Sequence, residues 1–348
     1  MLSAQLELDG TFDHARKKEY SKHKDEVNCC AFSPDLEMMV TGADDGRVRV
    51  FNRLSGQLVC RLIEHKGAIK SVAVSSDSKF IASASYDSTV IVWRTANASV
   101  VYRLTGHSRS VETVAFSHDS RLLCSGSWDN TALVWNLKTG TAKNVLTGHK
   151  NVVQCCAFSL NDMFLVSSTK YKKCYAQHEY SVPVEYTSTI ATGSWDHTVR
   201  LWLMIRDPRV EQCRILNGHT GNVYAVAFSS LGMLASGSWD KTIRLWRPRD
   251  GSLLFILDDH SGWVRALAFS PDGTILASAS DDESVKIWDT LSGECAKTLQ
   301  GNMEQLQTCI FSTEGALLAS GAATMPNLTF KTSAADNKAP CATNLSLE

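Results

Sequence analysis

Hydrophobic and polar residues alternate along most of the chain in short runs, and turn-forming residues separate one run from the next. Residues 234–246, LASGSWDKTIRLW, show the pattern, since two alternating runs flank a short polar turn. Alternation with a period of two residues is typical of half-buried β-strands, and close spacing of such runs favours antiparallel pairing. The pattern therefore predicts an all-β protein built from many short strands.

The alternating runs belong to an internal repeat that is marked by polar residues. A histidine opens six successive units, at His23, His65, His107, His149, His219 and His260. An aspartate follows each histidine, at Asp45, Asp87, Asp129, Asp196, Asp240 and Asp282. The separation is 21 or 22 residues in five units and 47 residues in the fourth.

Two further residue types keep the same register. A hydroxyl stands four residues before each aspartate, at Thr41, Ser83, Ser125, Thr192, Ser236 and Ser278. An aromatic residue stands six residues after each aspartate, at Phe51, Trp93, Trp135, Trp202, Trp246 and Trp288. Each unit has room for about four strands, so the repeat predicts a modular fold in which one unit packs against the next.

The length of the repeat and its dipeptide marks resemble the WD40 repeat family over residues 15–330. The literal G-H and W-D marks are Gly106-His107, Gly148-His149, Gly218-His219 and Trp288-Asp289. The resemblance implies a β-propeller, in which four-stranded blades are arranged radially around a central channel. It also implies scaffolding and peptide binding, rather than one particular reaction.

A seventh unit, residues 305–330, keeps the strand pattern but not the polar marks. Asn302 and Thr324 stand where the histidine and aspartate are expected, while Ser320 keeps the hydroxyl. In the family the strand before the first histidine completes the last blade, and residues 15–21 occupy that place here. The resemblance therefore implies a seven-bladed propeller, closed by an N-terminal strand that completes a degenerate last blade.

The repeat also predicts the domain organisation. Residues 1–14 are a lead-in, residues 15–330 form the propeller, and the polar residues 331–348 form a disordered tail. The blades begin near residues 23, 65, 107, 149, 219, 260 and 302. Removing residues 166–190 restores the normal spacing of the fourth unit. This segment is therefore either an inserted surface loop or an artefact of the gene model, and one role for a loop is to dock a partner.

The recurrence of histidine, serine and aspartate permits a catalytic-triad interpretation, but repetition at one set of offsets favours a structural network. The family pattern implies that aspartate binds histidine, histidine binds the hydroxyl, and the hydroxyl accepts from the tryptophan indole. Five complete networks are predicted, comprising His65, Ser83, Asp87, Trp93, His107, Ser125, Asp129, Trp135, His149, Thr192, Asp196, Trp202, His219, Ser236, Asp240, Trp246, His260, Ser278, Asp282 and Trp288. No catalytic residue, metal site or cofactor site is predicted, because no zinc, EF-hand, phosphate-binding or nucleophile motif occurs.

Composition narrows the classes of partner and the location. A formal net charge of -1 over 348 residues gives no general electrostatic reason to bind nucleic acid or an anionic membrane, so neither partner is predicted. No run of 18 apolar residues and no secretory leader pattern occurs. Eleven cysteines without a C-x-x-C pair fit a reducing compartment, which predicts a cytoplasmic protein without excluding the nucleus.

The aspartate and histidine turns are expected on one face of the propeller, where aromatic residues and arginine favour a binding surface. The candidate partner-binding residues are Tyr86, Trp128, Trp195 and Trp239, directly before the aspartates, with Glu112, Tyr224, Trp263 and Arg265 at the start of first strands. A tryptophan before the turn also fits a second role, in which it packs over its own blade and shields the polar network.

Three functions follow from these residues. The leading hypothesis is a non-enzymatic scaffold, monomeric within larger complexes, that binds proteins or peptides on this face. The alternative is a reader of basic or modified peptide tails, such as those of histones, in a chromatin or ubiquitin-ligase complex. A propeller enzyme is the third, and it requires a unique polar cluster outside the repeating set.

Overall fold

The repeated alternation forms β-strands throughout the computed structural model, which describes residues 18–21, 23–35, 37–159, 186–205, 210–300, 306–311, 317–321 and 327–332. These residues form 28 strands in seven four-stranded sheets. Within them there is no helix, and hence none with the length and apolar character needed to cross a membrane.

After the first strand, β1 (Lys18–Ser21), the chain forms six blades whose four strands pair in sequence order. Blade 1 contains β2 (Val27–Phe32), β3 (Met38–Ala43), β4 (Val48–Asn52) and β5 (Leu58–Leu62). Blade 2 contains β6 (Ile69–Val74), β7 (Phe80–Ser85), β8 (Thr89–Arg94) and β9 (Val100–Thr105). Blade 3 contains β10 (Val111–Phe116), β11 (Leu122–Ser127), β12 (Ala132–Asn136) and β13 (Thr141–Leu146).

Blades 4 to 6 repeat the same antiparallel order. Blade 4 contains β14 (Val153–Phe158), β15 (Tyr186–Ser194), β16 (Val199–Ile205) and β17 (Val210–Leu216). Blade 5 contains β18 (Val223–Phe228), β19 (Leu234–Ser238), β20 (Ile243–Arg247) and β21 (Ser252–Leu257). Blade 6 contains β22 (Val264–Phe269), β23 (Ile275–Ser280), β24 (Ser284–Asp289) and β25 (Cys295–Gln300).

The seventh sheet joins the two ends of the propeller. It contains β26 (Leu306–Phe311), β27 (Leu317–Gly321) and β28 (Asn327–Thr332), and β1 pairs with β28 as the fourth strand. The antiparallel register places Lys18 opposite Phe330 and Ser21 opposite Asn327. The fold is therefore the seven-bladed propeller that the sequence predicts, and an N-terminal strand completes its last blade.

Two predicted boundaries change in the structure. The insertion assigned to residues 166–190 overlaps β15, because this strand already begins at Tyr186 and pairs with β14 and β16. The alternating residues at the end of the assigned insertion serve as strand, so the interrupting segment ends before Tyr186. The tail assigned to residues 331–348 begins later as well, since β28 extends to Thr332. The predicted lead-in, residues 1–14, and the remainder of the insertion and the tail lie outside the described residues.

The hydrophobic core lies between neighbouring blades rather than within one sheet. Blade 1 contributes Val40 and Val50 to a cluster that continues into blade 2 through Ile81 and Trp93. The same arrangement joins blade 3 to blade 4, where Val134 packs in one cluster with Trp202. Burial of each such side chain contributes about 1.5–3 kcal/mol, so every blade depends on its neighbours for stability.

Candidate functional site

The repeated polar residues form one buried network in each of blades 2 to 6. In all five, the histidine Nδ1 lies 2.7–2.9 Å from the aspartate Oδ2, and Nε2 lies 2.7–2.9 Å from the strand hydroxyl. The tryptophan indole N–H donates to the same hydroxyl over 2.8–3.0 Å. A neutral histidine fits these partners, with Nδ1–H donating to the carboxylate and Nε2 accepting from the hydroxyl.

Each aspartate in these networks accepts more hydrogen bonds than the sequence pattern suggested. The Oδ2 atom of Asp129 also accepts from the backbone N–H of Ser108 at 3.0 Å, and Oδ1 accepts from the Thr131 hydroxyl at 2.6 Å. The equivalent hydroxyls, two residues after each aspartate, are Thr89, Thr131, Thr198, Thr242 and Ser284. Their recurrence in five units is a signal that sequence reasoning missed.

These hydrogen bonds keep the carboxylates ionised. Burial alone raises the pKa of Asp282, but hydrogen bonds from Ser284 and His260 outweigh it and lower this pKa to about 2. Burial also raises the pKa of Asp129, but hydrogen bonds from His107 and Thr131 outweigh burial and hold this pKa well below its ordinary value. These two aspartates are thus charged acceptors for the histidine and hydroxyl groups around them.

The hydroxyls in these networks are shielded from any substrate. Ser83, Ser125, Thr192, Ser236 and Ser278 are all 0% exposed. Because a nucleophile must reach the reacting atom, the observed geometry supports a structural role at all five positions. Within the described part of the chain, no three histidine, cysteine, aspartate or glutamate side chains gather closely enough to hold a metal ion.

Blade 1 replaces part of the network with an ion pair. Phe51 stands at the tryptophan position, and its side chain carries no N–H. The buried Arg49 side chain contacts His23 and donates to Asp45 over 2.9 Å. Burial, followed by the nearby Arg49 charge, lowers the pKa of His23 to about 4. The sequence marks Phe51 as the exception but does not indicate that Arg49 enters the network.

The aspartate and histidine turns of blades 1 to 6 lie together on one face of the propeller, here called the top face. A hydrogen bond joins the two turns, because the backbone N–H of the residue after the histidine donates to the aspartate carboxylate. In blade 2 the Lys66 N–H donates to Asp87 Oδ2 at 2.9 Å. The turns between the third and fourth strands lie at the other ends of the strands, on the opposite face. Leu54 and Leu291 occupy two of these turns and are strongly exposed.

A β-bulge in the first strand of each of blades 1 to 6 directs one side chain into the central channel. In blade 3 the pairing register shifts between Val111 and Thr113, which leaves Glu112 as the bulged residue. The equivalent residues in blades 1 to 6, here called the channel ring, are Asn28, Lys70, Glu112, Gln154, Tyr224 and Arg265. All six line one cavity of about 380 Å³. A bulge re-aims a side chain out of the alternating pattern, which explains why these residues face the channel.

Most charges in the channel ring are paired. Asp44 Oδ1 accepts from Asn28 at 2.6 Å and from Lys70 at 3.2 Å. Asp281 holds Arg265 through two parallel hydrogen bonds of 2.8 Å. Glu112 accepts from the Ser110 hydroxyl at 2.7 Å and has no basic partner among the described residues. The mouth of the channel therefore carries one negative charge that no described cation neutralises.

Four predicted aromatic residues form a continuous series across the top face, here called the tryptophan row. Trp128 and Trp195 have ring centroids 5.4 Å apart, and Trp195 and Trp239 have centroids 5.5 Å apart. Trp239 then stacks on Trp263 at 4.3 Å with 12° between the ring planes. The row joins blades 3, 4, 5 and 6, so these tryptophans pack on one another across blades and do not merely cover their own networks.

Tyr224 and Arg265 support the blade 6 end of the row. The Arg265 guanidinium lies 4.8 Å from the Tyr224 ring centroid and 5.1 Å from that of Trp263. Tyr224 also stacks near Trp239 at 6.3 Å. Burial raises the pKa of the Tyr224 hydroxyl despite the neighbouring Arg265 charge, so the ring stays neutral at physiological pH.

Exposure differs among the predicted binding residues. Tyr86 is 66% exposed, and within the described chain it has no ring contact with the row. Trp128 and Trp263 are 41% and 40% exposed. Trp195 and Trp239 are half-buried. The Trp195 indole N–H donates to Gln154 at 3.1 Å. The Trp239 indole N–H is buried without a hydrogen-bond partner among the described residues. The structure thus joins the predicted aromatics of blades 3 to 6 and leaves Tyr86 apart.

The fold and the repeated network define a class of protein, the WD40 propellers. The family model described as WD domain, G-beta repeat matches residues 15–52, 56–94, 98–136, 140–176, 178–202, 210–247 and 251–289. These matches cover more than half of the chain, which therefore belongs to the WD40 family. Two of them, 140–176 and 178–202, lie on either side of the interruption in the fourth blade. Strands β26 to β28 of the degenerate seventh blade follow the last match. WD40 propellers generally bind proteins or peptides and serve as interaction scaffolds.

Individual relatives resemble only a small part of the chain. WD repeat-containing protein 38 from Mus musculus is 49% identical over 47 residues, which are 14% of this chain and 16% of the mouse protein. WD repeat-containing protein 38 from Homo sapiens is 49% identical over 47 residues, which are 14% of this chain and 15% of the human protein. The similarity agrees with the WD40 assignment and spans 47 residues, about the length of one repeat.

Proposed function

We propose that this protein is a non-enzymatic interaction scaffold that binds protein or peptide partners on its top face. The observation that carries the proposal is the tryptophan row, in which four large aromatic side chains meet on one surface. Aromatic residues dominate binding energy at interfaces because they bury much area and lose little conformational freedom. The exposed Tyr86 extends the same face toward blade 2.

The propeller suits this function because its binding residues stand on a rigid frame. The turns of the top face are fixed by the aspartate and histidine networks, and their hydroxyls are inaccessible to substrate. Rigid display of a surface lowers the entropy that binding must overcome. The proposal places this scaffold in a reducing compartment, consistent with the lack of a disulfide bond among the cysteine side chains that the structure describes.

A second candidate function is the reading of basic peptide tails in the central channel. Glu112 favours it, because this carboxylate faces the cavity and is the one acid of the channel mouth that lacks a described basic partner. A lysine or arginine entering the channel would form a charge-assisted hydrogen bond there. Lys70 and Arg265 oppose a polybasic ligand only weakly, since each is paired with an aspartate.

The test compares partner recovery by two variants that alter opposite faces. Tagged wild-type protein, a Tyr86→Ala, Trp128→Ala, Trp263→Ala variant and a Leu54→Ala, Leu291→Ala variant are used to capture proteins from isotope-labelled lysates. All five residues are exposed, so both variants are expected to keep the wild-type melting temperature within a few degrees. Partners retained by the leucine variant and lost from the aromatic variant would support binding on the top face.

The opposite pattern would overturn the proposal. If the aromatic variant keeps the full partner list while the leucine variant loses it, binding occurs on the opposite face. A Glu112→Gln variant separates the second candidate, because loss of basic partners alone would favour the channel.

A further inference from the structure

We propose that the tryptophan row binds a proline-containing partner segment in the polyproline II conformation, with a lysine or arginine of that segment against Glu112. This inference rests on the proposed function and names the chemistry of its ligand. It follows from the shape of the row, its length and the distribution of charge beside it.

The tilt between successive rings gives the row a ridged apolar surface against which a compact apolar ring can pack. Trp128 and Trp195 are inclined by 58°, and Trp195 and Trp239 by 44°. A pyrrolidine ring has no flexible side chain to order and can pack on the outer surface of the row, where two inclined rings meet. Grooves lined by aromatic residues bind proline-rich segments in this way, because the polyproline II helix exists before binding and little entropy is lost.

The length of the row matches one turn of such a segment. Centroid steps of 5.4 and 5.5 Å place the rings of Trp128 and Trp239 at most about 11 Å apart. Polyproline II has three residues per turn and rises about 3.1 Å per residue, so prolines at positions i and i+3 lie about 9.3 Å apart. Two such prolines contact Trp128 and the Trp239 to Trp263 stack, with Trp195 between them.

The negative charge of Glu112 indicates the second feature of the ligand, a basic residue at one end of the segment. Glu112 belongs to the same end of the row as Trp128, since Ser110 accepts from the Trp128 backbone N–H at 3.0 Å and donates its hydroxyl to Glu112 at 2.7 Å. A single cation at the end of the segment that reaches Trp128 therefore meets an available carboxylate. A ligand built only from cations is less suited, because Arg265 already lies against Trp263 and Tyr224.

The test uses an oriented peptide library and intrinsic tryptophan fluorescence. One library fixes Pro-X-X-Pro with a lysine or arginine at either flank, a second replaces both prolines with alanine, and a third replaces the basic residue with glutamine. The first library is expected to bind wild-type protein about tenfold more tightly than either of the others. Trp128→Ala is expected to abolish this preference for proline, Glu112→Gln to abolish the preference for the basic residue, and Leu54→Ala on the opposite face to change neither.

Three results would overturn the inference, and each has a different consequence for the proposed scaffold function. Equal binding of the first two libraries would show that charge alone attracts peptides, as in channel reading. Binding of none of them, while the captured partners still depend on Tyr86, Trp128 and Trp263, would show that the row takes another chemistry and the scaffold proposal stands. Proline binding that survives both Trp128→Ala and Trp263→Ala, each folded by its melting temperature, would place the ligand elsewhere.

Discussion

Tryptophan occupies two kinds of position in this propeller, and the partner of its indole N–H separates them. Trp135, six residues after an aspartate, is fully buried and donates to Ser125 at 2.8 Å. Trp239, directly before an aspartate, stacks on Trp263 and leaves its buried N–H without a partner among the described side chains and backbone. One residue type therefore serves the fold at one offset and a surface at the other.

Replacing each of these tryptophans with phenylalanine should give unequal losses of stability. Trp135→Phe removes a buried hydrogen bond and leaves the Ser125 oxygen undersatisfied, which is expected to lower the free energy of unfolding by about 2 kcal/mol. Trp239→Phe removes the same atoms but no hydrogen bond, so a loss below about 1 kcal/mol is expected. Urea unfolding followed by circular dichroism measures both values. Equal losses of stability would contradict the different roles assigned to the two indole N–H groups. Adding Ser125→Ala to each variant serves as the matched control.

The role of a residue could be predicted from the sequence where that residue repeats in every blade, but not where one blade departs from the pattern. Recurrence at fixed offsets predicts the histidine, hydroxyl and aspartate positions, because every blade solves the same hydrogen-bonding problem. The ion pair of Arg49 occurs once, so no offset marks it. The contacts among Trp128, Trp195 and Trp239 depend on the distance between blades, which a linear pattern does not contain.

At the scale of the strand, the bulge determines which side chains reach the channel. A regular first strand would alternate its side chains between the two neighbouring blades. The register shift at Glu112 and its equivalents inserts one extra residue, and that residue faces the channel instead. The sequence predicts these positions as part of the top rim but not their place in the channel wall, because period-two alternation assumes an unbroken ladder.

Close packing between strands of adjacent blades should make Gly126 intolerant of a side chain. A Cβ atom there would lie 2.7 Å from Val153 Cγ1 in the next blade and 3.0 Å from the Val153 carbonyl oxygen. Overpacking of this kind costs about 1–3 kcal/mol, so Gly126→Ala is expected to lower the urea midpoint. The loss should shrink in a Val153→Ala background, where the Cγ1 contact is absent. A full loss in that background would assign the cost to the contacts that remain, with Thr113 Cγ2 at 2.9 Å and the Val153 carbonyl oxygen.

For the whole molecule, stability should fall with acid in two separate ranges. The folded pKa of His23, about 4, lies below the ordinary 6.5, so the unfolded chain binds the proton more tightly. Stability from this group is fully present above about pH 6.5 and is lost as the pH falls toward 4, by roughly 3 kcal/mol at most. The Asp282 pKa of about 2 lies below the ordinary 3.8, so its contribution is present above pH 3.8 and is lost as the pH falls toward 2.

Urea midpoints measured from pH 8 to pH 3 test this dependence. Wild-type protein is expected to show a plateau above pH 7 and a decline that begins near pH 6.5. His23→Gln removes one titrating group from the upper range, so its midpoints are expected to decline less between pH 6.5 and 4. An unchanged slope in that variant would assign the upper range to other histidines, such as His65 and His260, whose pKa values burial also lowers.

The architecture as a whole followed from the sequence because the repeat is long, regular and punctuated by turns. Blade number and closure by β1 required the family pattern in addition, since the seventh unit has lost its polar marks. The end of the interrupting segment in blade 4 was less accessible, because several alternating residues near Tyr186 fit either the loop or the strand. Hydrogen bonding to β14 and β16 decides between them.

Closure by the first strand also imposes an order on biosynthesis. Each of the other six sheets pairs strands that follow one another in the chain, whereas β1 pairs with β28, about 300 residues later. At synthesis rates of 5–20 residues per second, a ribosome takes roughly 15–60 s to deliver that partner. During this interval the nascent chain is an open arc in which β1 has no strand to pair with. Cells that make this protein must keep this strand from pairing with other chains until the ring is complete.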